Sequence, residues 1–284
     1  MVQDKSKQPD ITILMSVYNE TTDAIIVSVE SILNQTYTNF EFIIVNDNPT
    51  DARIKKTLDI LSKRDQRIQI LTNNRNRGLG YSLNEAIKIS RSKLIARMDT
   101  EDSSMQDRLT KQISFLKGHP EVDLLFTQWI DVNEKGEKTL RSPKRKDFAN
   151  IKEMFFKKSL LMHPSLAAKK QVMLDNPYPE MERPEDLVLW LKLIRQNYIF
   201  DVIEEPLYSY QVDRLNIEKR YGKIKKYSEN LIPHLMRESQ HYWRNIYFWI
   251  YFARILFEYL VSRNLYVFKV MHHASVRIWR LVYK

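Results

Sequence analysis

Between residues 11 and 98, four short apolar runs are separated by three segments of helical spacing, and this alternation restricts the possible folds more than any other feature. Ile11–Val17, 40–45, 68–71 and 93–98 read as strands, being short, apolar and rich in β-branched residues. Thr22–Leu33 sets Ile25, Val29 and Ile32 on one helical face, and helices are also expected over 51–62 and 78–90. Strand–helix repetition of this kind predicts parallel strands covered on both faces. Ligands of such open sheets bind beyond the carboxyl ends of the strands. Polar clusters fall at three of those ends, at Tyr18-Asn19, Asn46-Asp47 and Asp99–Asp102, so the three can face one crevice.

The third cluster is the most pointed. An apolar stretch runs into Asp99, Glu101 and Asp102, three carboxylates within four residues. Crowded carboxylates repel unless a cation or protons neutralise them. Hard divalent ions take only one or two protein carboxylates together with substrate phosphates. A metal-diphosphate site fits these facts, and so, for the segment in isolation, does a solvated acidic loop capping the helix that follows. Glycine-rich dinucleotide and Walker phosphate loops are missing from a chain with five glycines.

From about residue 122 the pattern changes. Residues 123–132 followed by Asn133-Glu134-Lys135-Gly136 predict a hairpin, hence a mixed sheet with later antiparallel strands. Residues 141–150 read as a basic polar connection. Glu185–Arg195 reads as a helix with Pro184 in its first turn, and Phe200–Val212 as a strand.

In this order the pieces resemble the family 2 glycosyltransferases of the GT-A fold, especially bacterial enzymes of capsular, exopolysaccharide or lipopolysaccharide synthesis. The resemblance spans roughly residues 10–215. It rests on Met15-Ser16-Val17-Tyr18-Asn19-Glu20, Ile44-Val45-Asn46-Asp47-Asn48, Asn76-Arg77-Gly78 with Leu83-Asn84, Arg97-Met98-Asp99-Thr100-Glu101-Asp102, His163-Pro164-Ser165 and Glu185-Asp186. It implies an α/β domain over residues 1–215, with a nucleotide-binding half over about 10–103 and an acceptor-binding half over about 104–215. The mixed sheet would carry helices on both faces.

By the same resemblance Ser16, Tyr18, Glu20, Asp47, Asn76 and Asp99 would bind the nucleotide of a nucleotide-sugar, with Tyr18 against the base and Asp47 accepting from it. The base expected is uracil, whose N–H suits a carboxylate. Asp99 and Glu101 match the family's DxD motif, which holds Mn²⁺ or Mg²⁺ on the donor diphosphate. Glu101 stands where Asp is usual, and Asp102 is the alternative ligand. Asp186 would be the general base for an inverting displacement, with Glu185, His163 and Trp190 on the acceptor side or supporting it. Taken alone, these acids at a helix start would equally serve the helix dipole, and Tyr18 would equally be a surface residue. Where relatives often carry His, this chain has Asp213, and no Gln-x-x-Arg-Trp motif follows Glu185-Asp186. One sugar per encounter is therefore expected. A nucleotidyltransferase or an inactive membrane-bound scaffold are the competing readings.

The net charge of +10 sits entirely in the last quarter, with 14 basic and 4 acidic residues in 214–284 against 31 of each before it. Residues 216–284 are expected to form a helical, basic and aromatic extension. Arg244, Arg254, Glu258 and Lys269, with Tyr247 and Tyr251, share one stripe of about 80° at helical periodicity. The longest apolar stretch there, 246–253, is short of a membrane span. The extension would lie on an anionic membrane surface or pack on the domain or a second subunit. Without cysteine or an apolar leader at the N-terminus, the expected location is the cytoplasmic face of the cell membrane, with a lipid-linked glycan acceptor. No nucleic-acid module accompanies the basic residues.

Overall fold

The computed structural model describes residues 8–157, 161–212 and 217–262. In chain order the elements are β1 (Ile11–Val17), α1 (Thr22–Leu33), β2 (Phe40–Asn46), α2 (Ala52–Arg64), β3 (Ile68–Thr72), α3 (Leu79–Ile89), β4 (Leu94–Arg97), β5 (Ser103–Ser104) and α4 (Arg108–Gly118). There follow β6 (Leu124–Asn133), β7 (Lys138–Arg141), α5 (Arg145–Ala149), α6 (Ile151–Lys157), a 3₁₀ turn (His163–Ser165), β8 (Ala167–Lys169) and α7 (Lys170–Asp175). The chain continues with α8 (Glu185–Arg195), β9 (Phe200–Val212), α9 (Ile217–Tyr242) and α10 (Ile246–Val261).

The nine strands form one mixed sheet in the order β3-β2-β1-β4-β8-β6-β9-β5, with β7 paired to β6. β1 to β4 are mutually parallel where they pair, β8 is antiparallel to both β4 and β6, and β6 runs parallel to β9. Alternation along each strand divides the apolar side chains between two cores. Ile13, Met15, Phe42 and Ile44 meet α1, α2 and α4 on one face. Leu14, Ile43, Val45 and Ile95 meet α3 and α8 on the other.

The expected hairpin is β6–β7, and its turn uses Gly136 at a φ of +75°. The connection expected over 141–150 instead contains α5, because Phe148 is buried in the core and Arg145 reaches Asp201 at 2.5 Å. Pro184 caps α8 from outside and is not part of its first turn.

The C-terminal helices share the α8-side core. Leu231, Leu235, Tyr242, Phe248 and Ile255 are buried in one cluster with Phe156 and Trp190, which lie on the other side of the boundary expected near residue 215. α10 starts after Arg244, with Asn245 accepting from the N–H groups of Tyr247 and Phe248. Tyr247 and Tyr251 pack against the core, and Arg254 pairs with Glu258 at 3.0 Å. The polar stripe read from the sequence thus turns largely toward the protein, while Ile246, Trp249, Leu256 and Leu260 are exposed. Lys269 and Asp213 lie outside the described residues. No described helix is long and apolar enough to cross a membrane.

Candidate active site

The polar clusters of β1, β2 and β4 lie together because parallel neighbours bring their carboxyl ends to one edge. Val17 pairs with Asn46 and Leu14 with Arg97, so the next residues of each strand open into the same crevice.

At the first two ends, Glu20 folds back to accept from the N–H groups of Tyr18 and Asn19 at 2.7 and 3.1 Å, while 43% of Tyr18 is exposed. Ser16 is half-buried opposite Val45. Asp47 is buried. Its carboxylate accepts from Asn73 Nδ2 at 2.7 Å and from the backbone N–H groups of Arg77 and Gly78, both at 2.8 Å. Asn76 accepts from Gly78 as well, at 3.0 Å. The φ of +84° at Gly78, open to glycine without strain, delivers that N–H. Asp47 therefore shapes the 73–78 loop, and of the roughly four lone-pair sites of its carboxylate one, on Oδ2, remains for a ligand.

The acidic loop after β4 divides its carboxylates. Glu101 has a φ of +75°, a costly conformation for a side chain of its size, and the chain turns there between Asp99 and Asp102. Asp99 is 37% exposed and lies 2.5 Å from Arg97 Nη2. Asp102 is 2% exposed; it accepts from the Tyr208 hydroxyl at 2.7 Å and from Gln211 N–H at 2.8 Å. Burial, then the charge of Asp99, push its carboxyl up to about 8. Tyr208 also accepts the Asp99 N–H at 3.2 Å, so β9 holds both ends of the loop.

Two arginines lie beneath. Arg97 is buried, and its Nε and Nη1 find no hydrogen-bond partner among the described residues. Burial alone would lower its pKa, but Asp99 outweighs that and holds Arg97 charged. Arg108, fully buried, donates to the carbonyls of Arg97 at 2.8 Å and Pro164 at 3.1 Å and to Ser104 Oγ at 2.9 Å, tying β4, β5 and the 3₁₀ turn together. Without an acid among these partners, burial lowers its pKa to about 10, which still leaves it charged at neutral pH.

On the acceptor side, α8 opens with Glu185 and Asp186. Glu185 is 5% exposed and is raised to about 6 by burial and by Asp186. The Asp186 side chain is 32% exposed, accepts the Leu187 N–H at 2.8 Å, and is raised by burial. His163 Nδ1 lies 3.7 Å from Asp186 Oδ2, and its Nε2 is 2.8 Å from the Tyr178 hydroxyl. Burial, then Arg97, hold His163 well below the ordinary histidine value and thus neutral. Burial raises Tyr178, which stays protonated. Asn84 grips Tyr178 by its N–H at 2.9 Å and its carbonyl at 2.8 Å. A Cβ on Gly80 would meet the Pro179 carbonyl oxygen at 2.7 Å, so only glycine lets α3 approach this segment. Trp190 is 1% exposed, edge-on to His163, and supports that ring from the core.

The fold thus brings the predicted donor-side and acceptor-side residues to one sheet edge, with Arg97 perturbing both groups. Sequence reasoning assigned no role to Arg97, Arg108, Tyr178 or Tyr208. Arg97 stood inside a recognised motif, whereas Tyr178 and Tyr208 are placed only by distant elements.

No group of three Asp, Glu or His side chains converges to hold a metal among the described residues. An ion bridging a diphosphate requires only one or two carboxylates, and the hard oxygen donors of Asp99 and Glu101 suit Mg²⁺ or Mn²⁺.

A parallel half with polar strand ends, continued by a mixed half bearing an acid at a helix start, is the GT-A glycosyltransferase architecture. The mannosyltransferase PcManGT from Pyrobaculum calidifontis, solved with GDP-Man and Mn²⁺, has this fold at a TM-score of 0.60 and 16% identity, covering 99% of this chain and 85% of its own. Residues 12–174 match the Glycosyl transferase family 2, and the chain belongs to that family. The uncharacterized glycosyltransferase MJ1057 of Methanocaldococcus jannaschii is 33% identical over 270 residues, 93% of either chain. The O-antigen biosynthesis glycosyltransferase WbnJ of Escherichia coli is 32% identical over 216 residues, 74% of this chain and 82% of its own.

Proposed function

We propose that this glycosyltransferase moves a single sugar from a nucleotide-sugar, with UDP as the expected nucleotide, to a growing surface glycan on a lipid carrier. The observation that carries this reading is the partly exposed Asp186, raised by burial and set against a neutral imidazole on the edge that also holds Asp99. A base works best when its pKa approaches the operating pH and its carboxylate can reach the acceptor hydroxyl. Asp186 takes the hydroxyl proton as that oxygen attacks the anomeric carbon, and direct displacement inverts the centre. Neutral His163 adds no charge that would lower the basicity of Asp186. Its Nδ1 stands 3.7 Å from the carboxylate, close enough to flank it without a hydrogen bond, while Nε2 is paired with the Tyr178 hydroxyl. Tyr18 and Asp47 bind the base, while Ser16, Glu20 and Asn76 complete the nucleotide side.

Asp99 and Glu101 would hold Mn²⁺ or Mg²⁺, which when bound neutralises charge on the leaving diphosphate. Asp102 is less suited, because two donors and burial occupy it. The name of WbnJ supports a polysaccharide setting. The exposed apolar face of α10, with Trp243 beside it, supports contact with a membrane surface near a lipid-linked acceptor.

The test supplies purified protein with a panel of nucleotide-sugars, Mn²⁺ and a lipid-linked acceptor extract, and follows nucleotide release and product anomeric configuration. Release lost with chelator and in Asp186→Asn, with an inverted product, is the expected result. Donor binding without release would favour an inactive scaffold, and a retained configuration would remove Asp186 as base.

A further inference from the structure

The face of α8 turned away from Asp186 lines a second cleft. At 100° per residue, Val188, Lys192 and Arg195 lie roughly 180–240° around the helix from Asp186. They face α9 across a cleft of about 470 Å³, within the range of small-ligand sites. Val188, Leu189 and Leu191 contribute apolar lining, and Pro177 and Pro179, which bracket Tyr178, line it as well.

The charge lining it is unbalanced. Lys192 and Arg195 come from α8 and Arg237 from α9, with His234 and His241 beside them, against the single carboxylate of Glu238. Glu238 lies 3.5 Å from Arg195. Arg237 instead donates to His234 Nδ1 at 3.2 Å and to the Pro233 carbonyl at 3.3 Å. Neither Arg237 nor Lys192 has an acid within ion-pair distance among the described residues. A guanidinium resting on an imidazole lone pair is a weaker arrangement than one on an anion. Two cations without acid partners, beside apolar lining side chains, suit an anion attached to an apolar group.

We propose that the cleft between α8 and α9 is a binding site for a phosphate-class anion, separate from the donor site. Its source is either the diphosphate of a lipid-linked acceptor or a free phosphate; only the first rests on the acceptor reading above. An occupant would touch the 177–179 segment that carries Tyr178, and so would bear on the orientation of His163.

The experiment titrates the full chain with inorganic pyrophosphate by calorimetry in EDTA, which removes any divalent ion from Asp99. Lys192→Gln/Arg237→Gln, whose fold is checked by thermal unfolding, should weaken binding by about tenfold or more. UDP binding in Mn²⁺ should be unchanged, and UDP should not displace pyrophosphate. Absent binding at millimolar pyrophosphate, equal affinity in the double variant, or displacement by UDP would overturn the site. Phosphatidylcholine vesicles with and without polyprenyl diphosphate then distinguish the source. Retention that needs the lipid and is lost in the double variant identifies the headgroup, and pyrophosphate binding without retention identifies a free anion. None of these readouts requires turnover, so failure of the transferase reading would leave them interpretable.

Discussion

The acidic loop after β4 and the acidic start of α8 solve one problem in different ways. Each places carboxylates side by side, and in each one member is buried while its neighbour reaches solvent. In the β4 loop, a backbone turn at Glu101 and the Tyr208 hydroxyl draw Asp102 inward, and Arg97 steadies the exposed Asp99. At α8 the helix itself separates Glu185 from Asp186, and a neutral histidine in place of a cation stands by the exposed acid. A cation beside Asp99 would suit the proposed metal ligand. A neutral group beside Asp186 would suit the proposed base.

The largest effect should come from the exposed acid of the second pair. Asp186→Asn is expected to lower kcat by about 10²–10⁴-fold with little change in donor KM, whereas Glu185→Gln should keep most of the turnover. Equal losses in steady-state assays would erase the proposed division of labour. Next, Asp99→Asn should weaken apparent Mn²⁺ affinity by at least about tenfold, read from the metal dependence of turnover, and Asp102→Asn should weaken it far less. If Asp102→Asn shows the larger loss, Asp102 is the ligand.

Smaller effects should appear in stability. Asp102 titrates at about 8 in the fold against 3.8 when unperturbed, so the native state binds more protons between these values. Stability should therefore fall as pH rises from about 4 to about 8. Tyr208→Phe removes a donor to the ionised carboxylate, costing about 1–3 kcal/mol near pH 9 and less near pH 6 in denaturant titrations. Asp102→Asn should flatten that pH dependence; an unaltered slope would mean another group sets it.

Much of this was legible in local pattern. Ile11–Val17 and Thr22–Leu33 have the boundaries read from the sequence, because a short β-branched run and a capped amphipathic helix are specified by their own residues. Asp47, Asp99 and Asp186 stood out as acids at element ends. β5 and β8, of two and three residues, carry no periodic signal and exist through pairing with β9, β4 and β6. Tyr208 and Tyr178 were invisible as site residues for the same reason, since one is delivered by β9 and the other by a segment pinned to Asn84.

Residue type and spacing alone determined a parallel half, its polar edge, and which acids stand on it. Tertiary structure decided which acid of each pair is buried, that Arg97 lies beneath them, and that Tyr247, Tyr251 and Glu258 of the α10 stripe turn inward. Periodicity specifies a helical stripe but not the neighbour it faces, and a carboxylate's pKa depends on burial and charge contributed by residues far away in sequence.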